Sequence, residues 1–229
     1  MNMDWVPPEP YYRVVITGRT QTGKTSFIRC ALLPTLRAYI IYDPDMQFNN
    51  TYGRIVDNGR AFIAAIKSGH RRIIYQPSDQ LMGYPEARIE DFESICRVID
   101  KLRNVTFIVD EVSHITRPEN RRAAFVPPTF RMLIVRRMKI PHRIGIIITT
   151  QRMKDADVDF ISQSQMTYTF AQNSMDAKYI AEKIGMPIHK DIETLPMHEY
   201  LKYDHMTREI SRGSFTWTPP PSPLQNQPS

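Results

Sequence analysis

The chain has 229 residues, with 30 Lys and Arg against 24 Asp and Glu, and a formal net charge of +6. This length suits one α/β domain with a sizeable core, and it argues against two independent enzyme domains. The positive charge is compatible with a polyanionic partner but does not establish one. The two cysteines, Cys30 and Cys96, have no companions at metal-ligand spacing, so neither a disulfide framework nor a zinc site is expected.

The chain divides by composition into three parts. Residues 1–12 are a Pro-containing N-terminal arm, 13–217 form one folded domain, and 218–229 are a Pro-rich tail that is expected to be disordered. No apolar run approaches the roughly 20 residues of a transmembrane helix, and the N-terminus lacks the features of a signal peptide. An intracellular protein without direct membrane insertion is therefore expected.

Predicted strands and helices alternate along the domain. Short runs rich in β-branched residues predict strands that are buried on both faces. The predicted strands are 14–16, 39–42, 73–75, 106–109, 144–148, 166–171, 199–203 and 213–217, and the predicted helices are 24–33, 60–67, 89–102, 128–138, 158–163 and 175–184. This alternation predicts an α/β fold with a doubly wound, mostly parallel sheet and helices on both faces.

A phosphate-binding loop (Walker A) of the form GxxxxGK[ST] joins the first strand to the first helix. Its residues are Gly18, Arg19, Thr20, Gln21, Thr22, Gly23, Lys24 and Thr25, followed by Ser26. Backbone N–H groups of such a loop bind phosphate oxygens, and the two glycines permit its tight wrap. Lys24 is expected to reach the β- and γ-phosphates, and the Thr25 hydroxyl to bind Mg²⁺.

An acidic pair (Walker B) follows the fourth predicted strand, where α/β sheets place their ligands. Asp110 is expected to hold the magnesium ion through water, and Glu111 to act as the general base for the attacking water. The availability of this base favours hydrolysis over mere nucleotide binding.

The strand at 144–148 leads to Gln151, and two interpretations of that residue remain open. Its amide can lie beside the γ-phosphate and bond the attacking water. Alternatively, it merely caps the end of the strand.

Three motifs together resemble the HerA–FtsK superfamily of P-loop ATPases, the ring motors that pump DNA. The resemblance covers about residues 13–184 and rests on GRTQTGKT at 18–25, FIVDE at 107–111 and IGIIITTQR at 144–152. The segment IIYDPD at 40–45 is also similar to the second strand of that family. The resemblance implies a RecA-like (ASCE) P-loop NTPase fold, ATP as the nucleotide and Mg²⁺. A core this short looks most like the genome-packaging ATPases of membrane-containing and archaeal viruses.

The family also completes each active site with an arginine from the neighbouring subunit. The matching positions are Arg136 and Arg137, with Arg143 nearby, although the connection to the next strand is longer here than in the family pattern. Arg117, Arg121 and Arg122, which follow Glu111, are rival candidates.

The partners that the resemblance implies are sequence-independent double-stranded DNA, further copies of this chain in a ring, and capsid vertex or portal proteins. The corresponding location is the host cytoplasm or the virion vertex. Basic loops at 67–72 and 117–122 are candidates for DNA contacts. The alternatives are a nucleotide-dependent switch or partner-loading ATPase without processive movement, and a small kinase.

Overall fold

A computed structural model describes residues 12–78, 81, 83–119, 123–136, 142–155 and 158–219. Most of the predicted arm and the tail beyond Pro219 therefore lie outside the described residues. The strands are β1 (Arg13–Thr17), β2 (Tyr39–Tyr42), β3 (Arg54–Val56), β4 (Arg72–Tyr75), β5 (Val105–Val109), β6 (Arg117–Glu119), β7 (Ala123–Phe125), β8 (Ile144–Thr150), β9 (Met166–Thr169), β10 (Glu199–Asp204) and β11 (Glu209–Ser214). The helices are α1 (Lys24–Phe27), α2 (Gly59–Lys67), α3 (Pro85–Ile99), α4 (Pro128–Arg136), α5 (Val158–Ser162), α6 (Ser174–Ile184) and α7 (His189–Glu193).

Within the described residues, nine strands form one open sheet in the order β11-β10-β9-β1-β8-β5-β2-β4-β3. The strands from β9 to β3 are parallel, and β10 and β11 add an antiparallel edge. The predicted α/β fold with a mostly parallel sheet is thus confirmed. The carboxyl ends of β1, β8, β5 and β2 lie side by side, so the loops that follow them meet at one edge of the sheet.

The central strands are buried on both faces, which explains their continuous β-branched sequences. All residues of β2, β5 and β8 are buried, and two apolar clusters lie on opposite faces of the sheet. One cluster contains Phe92 of α3, Phe107 of β5 and Phe130 of α4. The other contains Phe27 of α1 and Phe170, directly after β9. Helices on both faces therefore protect the parallel sheet from water.

Several elements differ from the sequence predictions. The pattern did not indicate β3, the β6–β7 hairpin or α7. The strand predicted at 213–217 is wrong, because β11 begins at Glu209. The turn before it explains the difference: the Asp204 carboxylate accepts the N–H groups of Met206 and Thr207, and Arg208 adopts a φ of 61°.

The predicted first helix is also shorter as an α-helix than expected, because it continues from Ile28 to Leu32 as a π-helix. Among the described residues, no helix is both long enough and apolar enough to cross a membrane.

Candidate nucleotide-binding site

The loop between β1 and α1 is held in a wrapped conformation that depends on its glycines. Gly23 has a φ of 105°, and Gln21 is also left-handed with a φ of 63°. A Cβ atom on Gly18 would lie 2.6 Å from the Cβ of Phe170, so this position has no room for a side chain. Hydrogen bonds from Gly18 N–H to the Thr150 carbonyl and from Arg19 N–H to the Ala171 carbonyl anchor the loop to the neighbouring strand ends.

Lys24 lies at the centre of the loop. Its ammonium group donates to the carbonyl oxygens of Gly18 at 2.5 Å and Arg19 at 3.2 Å. Burial lowers the pKa of Lys24, while the nearby Glu111 and Asp110 raise it. The ammonium group is therefore a desolvated cation held by carbonyl oxygens, from which an incoming phosphate can draw it.

Asp110 follows β5 and is 5% exposed. The hydroxyl of Thr149 donates to Asp110 Oδ1 at 2.7 Å. Burial raises the pKa of Asp110 to about 6, a shift that this hydrogen bond opposes and the neighbouring Asp43 and Glu111 increase. A buried carboxylate in this state favours a cation beside it.

Glu111 has a left-handed backbone, with φ 54°. A residue other than glycine is rarely found there, and such strain is often located at functional sites. Its N–H donates to the Thr149 hydroxyl at 2.7 Å. Its carboxylate accepts hydrogen bonds from the Ser113 hydroxyl at 2.7 Å and from the Gln151 N–H at 3.3 Å. The side chain is thus held at the cavity by groups from two different segments.

Gln151 is an exposed residue directly after β8, and it connects the other two motifs. Its side-chain Oε1 accepts a hydrogen bond from the Thr20 hydroxyl at 3.1 Å, while its backbone N–H donates to Glu111. The first contact reaches the phosphate-binding loop and the second reaches the acidic pair. The structure therefore brings all three predicted motifs together.

These groups line a cavity of about 280 Å³. Its lining includes Thr20, Gln21, Gly23, Lys24, Thr25, Ser26, Asp110, Glu111 and Gln151 from the predicted set. Gly18 and Arg19 face Lys24 with their carbonyls instead, and the Thr22 side chain is buried and donates to the Arg19 carbonyl. These three residues shape the loop and do not line the cavity.

The donor groups present fit Mg²⁺ and a triphosphate. Mg²⁺ retains most of its waters and needs one or two hard oxygen ligands, which the Thr25 hydroxyl and the buried carboxylate of Asp110 can supply. Lys24 and the backbone of the wrapped loop supply the positive potential that phosphate requires. The observation that carries the fit is that the buried Asp110 carboxylate and the Thr25 hydroxyl line the same cavity, where a divalent cation would stabilise the ionised carboxylate.

Sequence reasoning missed several residues at this cavity. Asp45 and Arg29 line it: Asp45 pairs with His114 at 3.0 Å, and the Arg29 guanidinium lies 5.1 Å from the centre of the Phe48 ring. The hydrogen bond from His114 is the main cause that lowers the pKa of Asp45. Arg29 belongs to no predicted motif, and Asp45 was given no role although it ends the segment at 40–45, since the neighbours of both residues in space are distant in the chain.

Asp43, directly after β2, makes local hydrogen bonds. Its carboxylate accepts the N–H groups of Gln47 and Phe48 and the side-chain amide of Gln76, each at 2.8 Å. It therefore shapes the turn that carries Asp45 to the cavity.

The antiparallel edge of the sheet covers the phosphate-binding loop from outside. His198 N–H donates to the Thr22 carbonyl at 3.4 Å, and Phe215 N–H donates to the His198 carbonyl at 3.2 Å. A Cβ atom on Gly23 would lie 2.9 Å from the His198 ring and 3.2 Å from the Phe215 ring. Phe215 also contacts Phe27 with ring centres 5.6 Å apart. The C-terminal hairpin is thus part of the support for the loop.

Of the candidate arginines within the described residues, Arg136 and Arg143 do not line the cavity. Arg136 is exposed at the end of α4, and this end lies near the start of β1, because the Arg13 guanidinium donates to the Ile134 carbonyl at 2.7 Å. The cavity lies at the opposite ends of the strands. Arg137, Arg121 and Arg122 lie outside the described residues. Arg152, next to Gln151, is paired with the buried Asp176 at 3.4 Å.

The sheet order and the loop between β1 and α1 define the fold of P-loop ATPases, as the resemblance predicted. Searched by sequence, the chain matches no protein-family model and no curated protein. Its structure is similar to the genome packaging NTPase B204 from Sulfolobus turreted icosahedral virus 2 in complex with ATP-gammaS, with a TM-score of 0.68 and 18% identity, covering 91% of this chain and 99% of that one. It is also similar to VirB4 of Thermoanaerobacter pseudethanolicus, with a TM-score of 0.64 and 10% identity over 96% and 92% of the two chains.

Proposed function

We propose that this protein is an ATP-hydrolysing DNA translocase that packages a viral double-stranded DNA genome into a preformed capsid. The observation that carries the ATPase part is the convergence of Lys24, the Asp110–Glu111 pair and Gln151 on one cavity. The packaging part is supported by the similarity of the fold to the B204 packaging NTPase over nearly the full length of both chains.

Each cavity group has a distinct role in this proposal. Lys24 moves from the loop carbonyls to the β- and γ-phosphates, and the loop N–H groups hold the remaining oxygens. Glu111 accepts a proton from the water that attacks the γ-phosphate. Gln151 orients that water, since its side chain accepts a hydrogen bond from Thr20 of the phosphate-binding loop while its backbone N–H donates to Glu111. Bound Mg²⁺, held by Thr25 and through water by Asp110, would neutralise charge on the β- and γ-oxygens.

A ring of identical subunits is part of the proposal, because the cavity contains no arginine from α4. The cations that line it within the described residues are Lys24 and Arg29. Charge on the transferring phosphoryl group is commonly stabilised by an additional arginine, which comes either from the same chain or from a neighbouring protein. Arg136 and Arg137 are the proposed source, and the exposed position of Arg136 leaves it available to a neighbour. Capsid vertex or portal proteins are the proposed binding partners of the ring.

The test is steady-state ATP hydrolysis with and without linear double-stranded DNA at low salt, over a range of protein concentrations. We expect hydrolysis that DNA stimulates, with a stimulation that rises steeply with protein concentration. Glu111→Gln is the blank and should bind nucleotide without turnover, whereas Lys24→Ala should lose nucleotide binding. Hydrolysis that is indifferent to DNA would contradict translocation and favour a nucleotide-dependent switch or partner-loading ATPase. A phosphorylated small-molecule product would favour a kinase.

A further inference from the structure

A row of arginines follows the edge of the sheet opposite the nucleotide cavity. The parallel strands β5, β2 and β4 are neighbours, and each is entered from a loop that carries an arginine one or two residues before the strand. These arginines are Arg103, Arg37 and Arg71, and all three are exposed. Arg143, directly before β8, continues the row on the next strand.

Backbone hydrogen bonds between the loops make this row one surface. Thr106 N–H donates to the Ala38 carbonyl at 3.1 Å, and Tyr39 N–H donates to the Arg71 carbonyl at 2.8 Å. Asn104 N–H donates to the His142 carbonyl at 3.0 Å. Since neighbouring strands are about 4.8 Å apart, the loops that carry these arginines are closely spaced.

The three loops enclose a cleft of about 590 Å³. Its floor is apolar, with Ile40, Ile66 and Ile73, while Arg37, Arg71, Arg103 and His70 supply its basic groups. Among the described residues, no Asp or Glu lines this cleft. The described ion pairs involve other arginines, so none of these guanidinium groups is neutralised by a carboxylate within the described part of the chain.

We propose that this arginine edge binds the phosphate backbone of double-stranded DNA. The inference rests on the proposed function and deepens it by locating the DNA-binding surface. A row of exposed arginines on neighbouring loops fits a ligand with closely repeated negative charge, and a phosphate backbone supplies that charge at every nucleotide. Within the described residues, these four arginines stand on loops and not on a helix or strand, which suits contact with phosphates and not with base edges.

The position of the edge separates the two tasks of the motor. Nucleotide binds at the carboxyl ends of the strands and DNA at their amino ends, and the buried strands β2, β5 and β8 run rigidly from one to the other. Movement of Asp110 and Gln151, at the ends of β5 and β8, can thus displace the loops that hold Arg103 and Arg143.

The experiment compares Arg37→Gln/Arg103→Gln with the wild type in binding to double-stranded DNA of mixed sequence, with a non-hydrolysable ATP analogue present and across a series of salt concentrations. The control is Arg60→Gln/Lys178→Gln, which removes the same charge from exposed helix positions. Each lost phosphate contact reduces the magnitude of the negative slope of log K against log salt concentration by about 0.9. We therefore expect the slope for Arg37→Gln/Arg103→Gln to be about 1.8 smaller in magnitude than that of the wild type. This variant should also bind DNA roughly 10- to 100-fold more weakly at about 0.1 M salt.

The control variant should retain most of the wild-type affinity, and hydrolysis without DNA should be unchanged in both variants. Wild-type affinity and slope in Arg37→Gln/Arg103→Gln would overturn the arginine edge as the DNA site while leaving the translocase proposal standing. If the wild type itself bound no DNA at any salt concentration, both proposals would fall. An equal loss of DNA affinity in the two variants would show that only the net charge of the protein matters, and it would also overturn the assignment.

Discussion

The Thr149 hydroxyl donates to the Asp110 carboxylate across 2.7 Å and joins β8 to the acidic pair at the end of β5. The same oxygen accepts the Glu111 N–H at 2.7 Å. Thr149 itself is completely buried. One side chain therefore positions both the proposed metal-binding carboxylate and the backbone of the proposed base, two residues before Gln151.

Thr149→Val removes these two hydrogen bonds at nearly constant volume. We expect a loss of about 1–3 kcal/mol in the free energy of unfolding, because buried polar groups remain without partners. Turnover should fall more than nucleotide affinity, since Glu111 loses its support while the phosphate-binding loop is untouched. Denaturant unfolding and single-turnover hydrolysis measure the two effects. Thr150→Val is the matched control, because that hydroxyl donates to the Arg152 carbonyl instead. Equal turnover in the two variants would contradict the positioning role.

Asp110→Asn tests the pKa of about 6 that burial imposes on Asp110. The folded-state value lies above the unfolded value of about 3.9, so the folded state binds the proton more tightly and stability falls as pH rises from about 4 to about 6. The variant lacks this ionisation. Without nucleotide and Mg²⁺, the free energy of unfolding of Asp110→Asn should increase by about 3 kcal/mol relative to that of the wild type between pH 4 and pH 7. Urea unfolding across this range is the measurement, and parallel stability curves would show that Asp110 ionises normally.

Phe215→Ala tests the support that the C-terminal hairpin gives to the phosphate-binding loop. Phe215 is half-buried, and its ring lies against Phe27 and over Gly23. Its truncation should cost about 1–3 kcal/mol of stability, less than a fully buried phenylalanine. Nucleotide affinity should fall as well, because the backbone at Gly23 becomes less constrained. Calorimetric titration with an ATP analogue measures the affinity, and Trp217→Ala, two residues away and exposed, is the control. Unchanged affinity would limit Phe215 to packing.

Arg136→Ala/Arg137→Ala tests the shared active site. The variant keeps an intact nucleotide site, so nucleotide affinity should be unchanged while turnover falls by up to about 10³-fold. Lys24→Ala has the opposite defect, since it lacks the nucleotide site but retains the arginines. Mixing the two inactive variants should restore part of the hydrolysis, because some interfaces then combine an intact site with an intact arginine. If no mixture recovers activity and the arginine variant alone is fully active, the finger lies elsewhere.

The buried strands could be predicted from the sequence because they carry β-branched runs that have no polar face. In the nine-stranded sheet, two strands outside this rule were missed or misplaced. β3 is only three residues long, at one edge of the sheet, and β11 is largely exposed at the other edge. Their residues lack an apolar pattern because a large part of them faces solvent. The turn at Asp204, which sets the start of β11, depends on side-chain hydrogen bonds that the apolar pattern does not report.

The sequence by itself determined the phosphate-binding loop and the acidic pair, because in each case the chemical groups are contiguous and a strand presents them together. Only the tertiary structure decided which distant segments meet there. The contact between Thr149 and Asp110 spans 39 residues, and it exists because β8 lies beside β5 in the sheet. The cover of His198 and Phe215 over Gly23, and the alignment of arginines before neighbouring strands, arise in the same way. Strand order is set by packing over the whole domain, so no local pattern contains it.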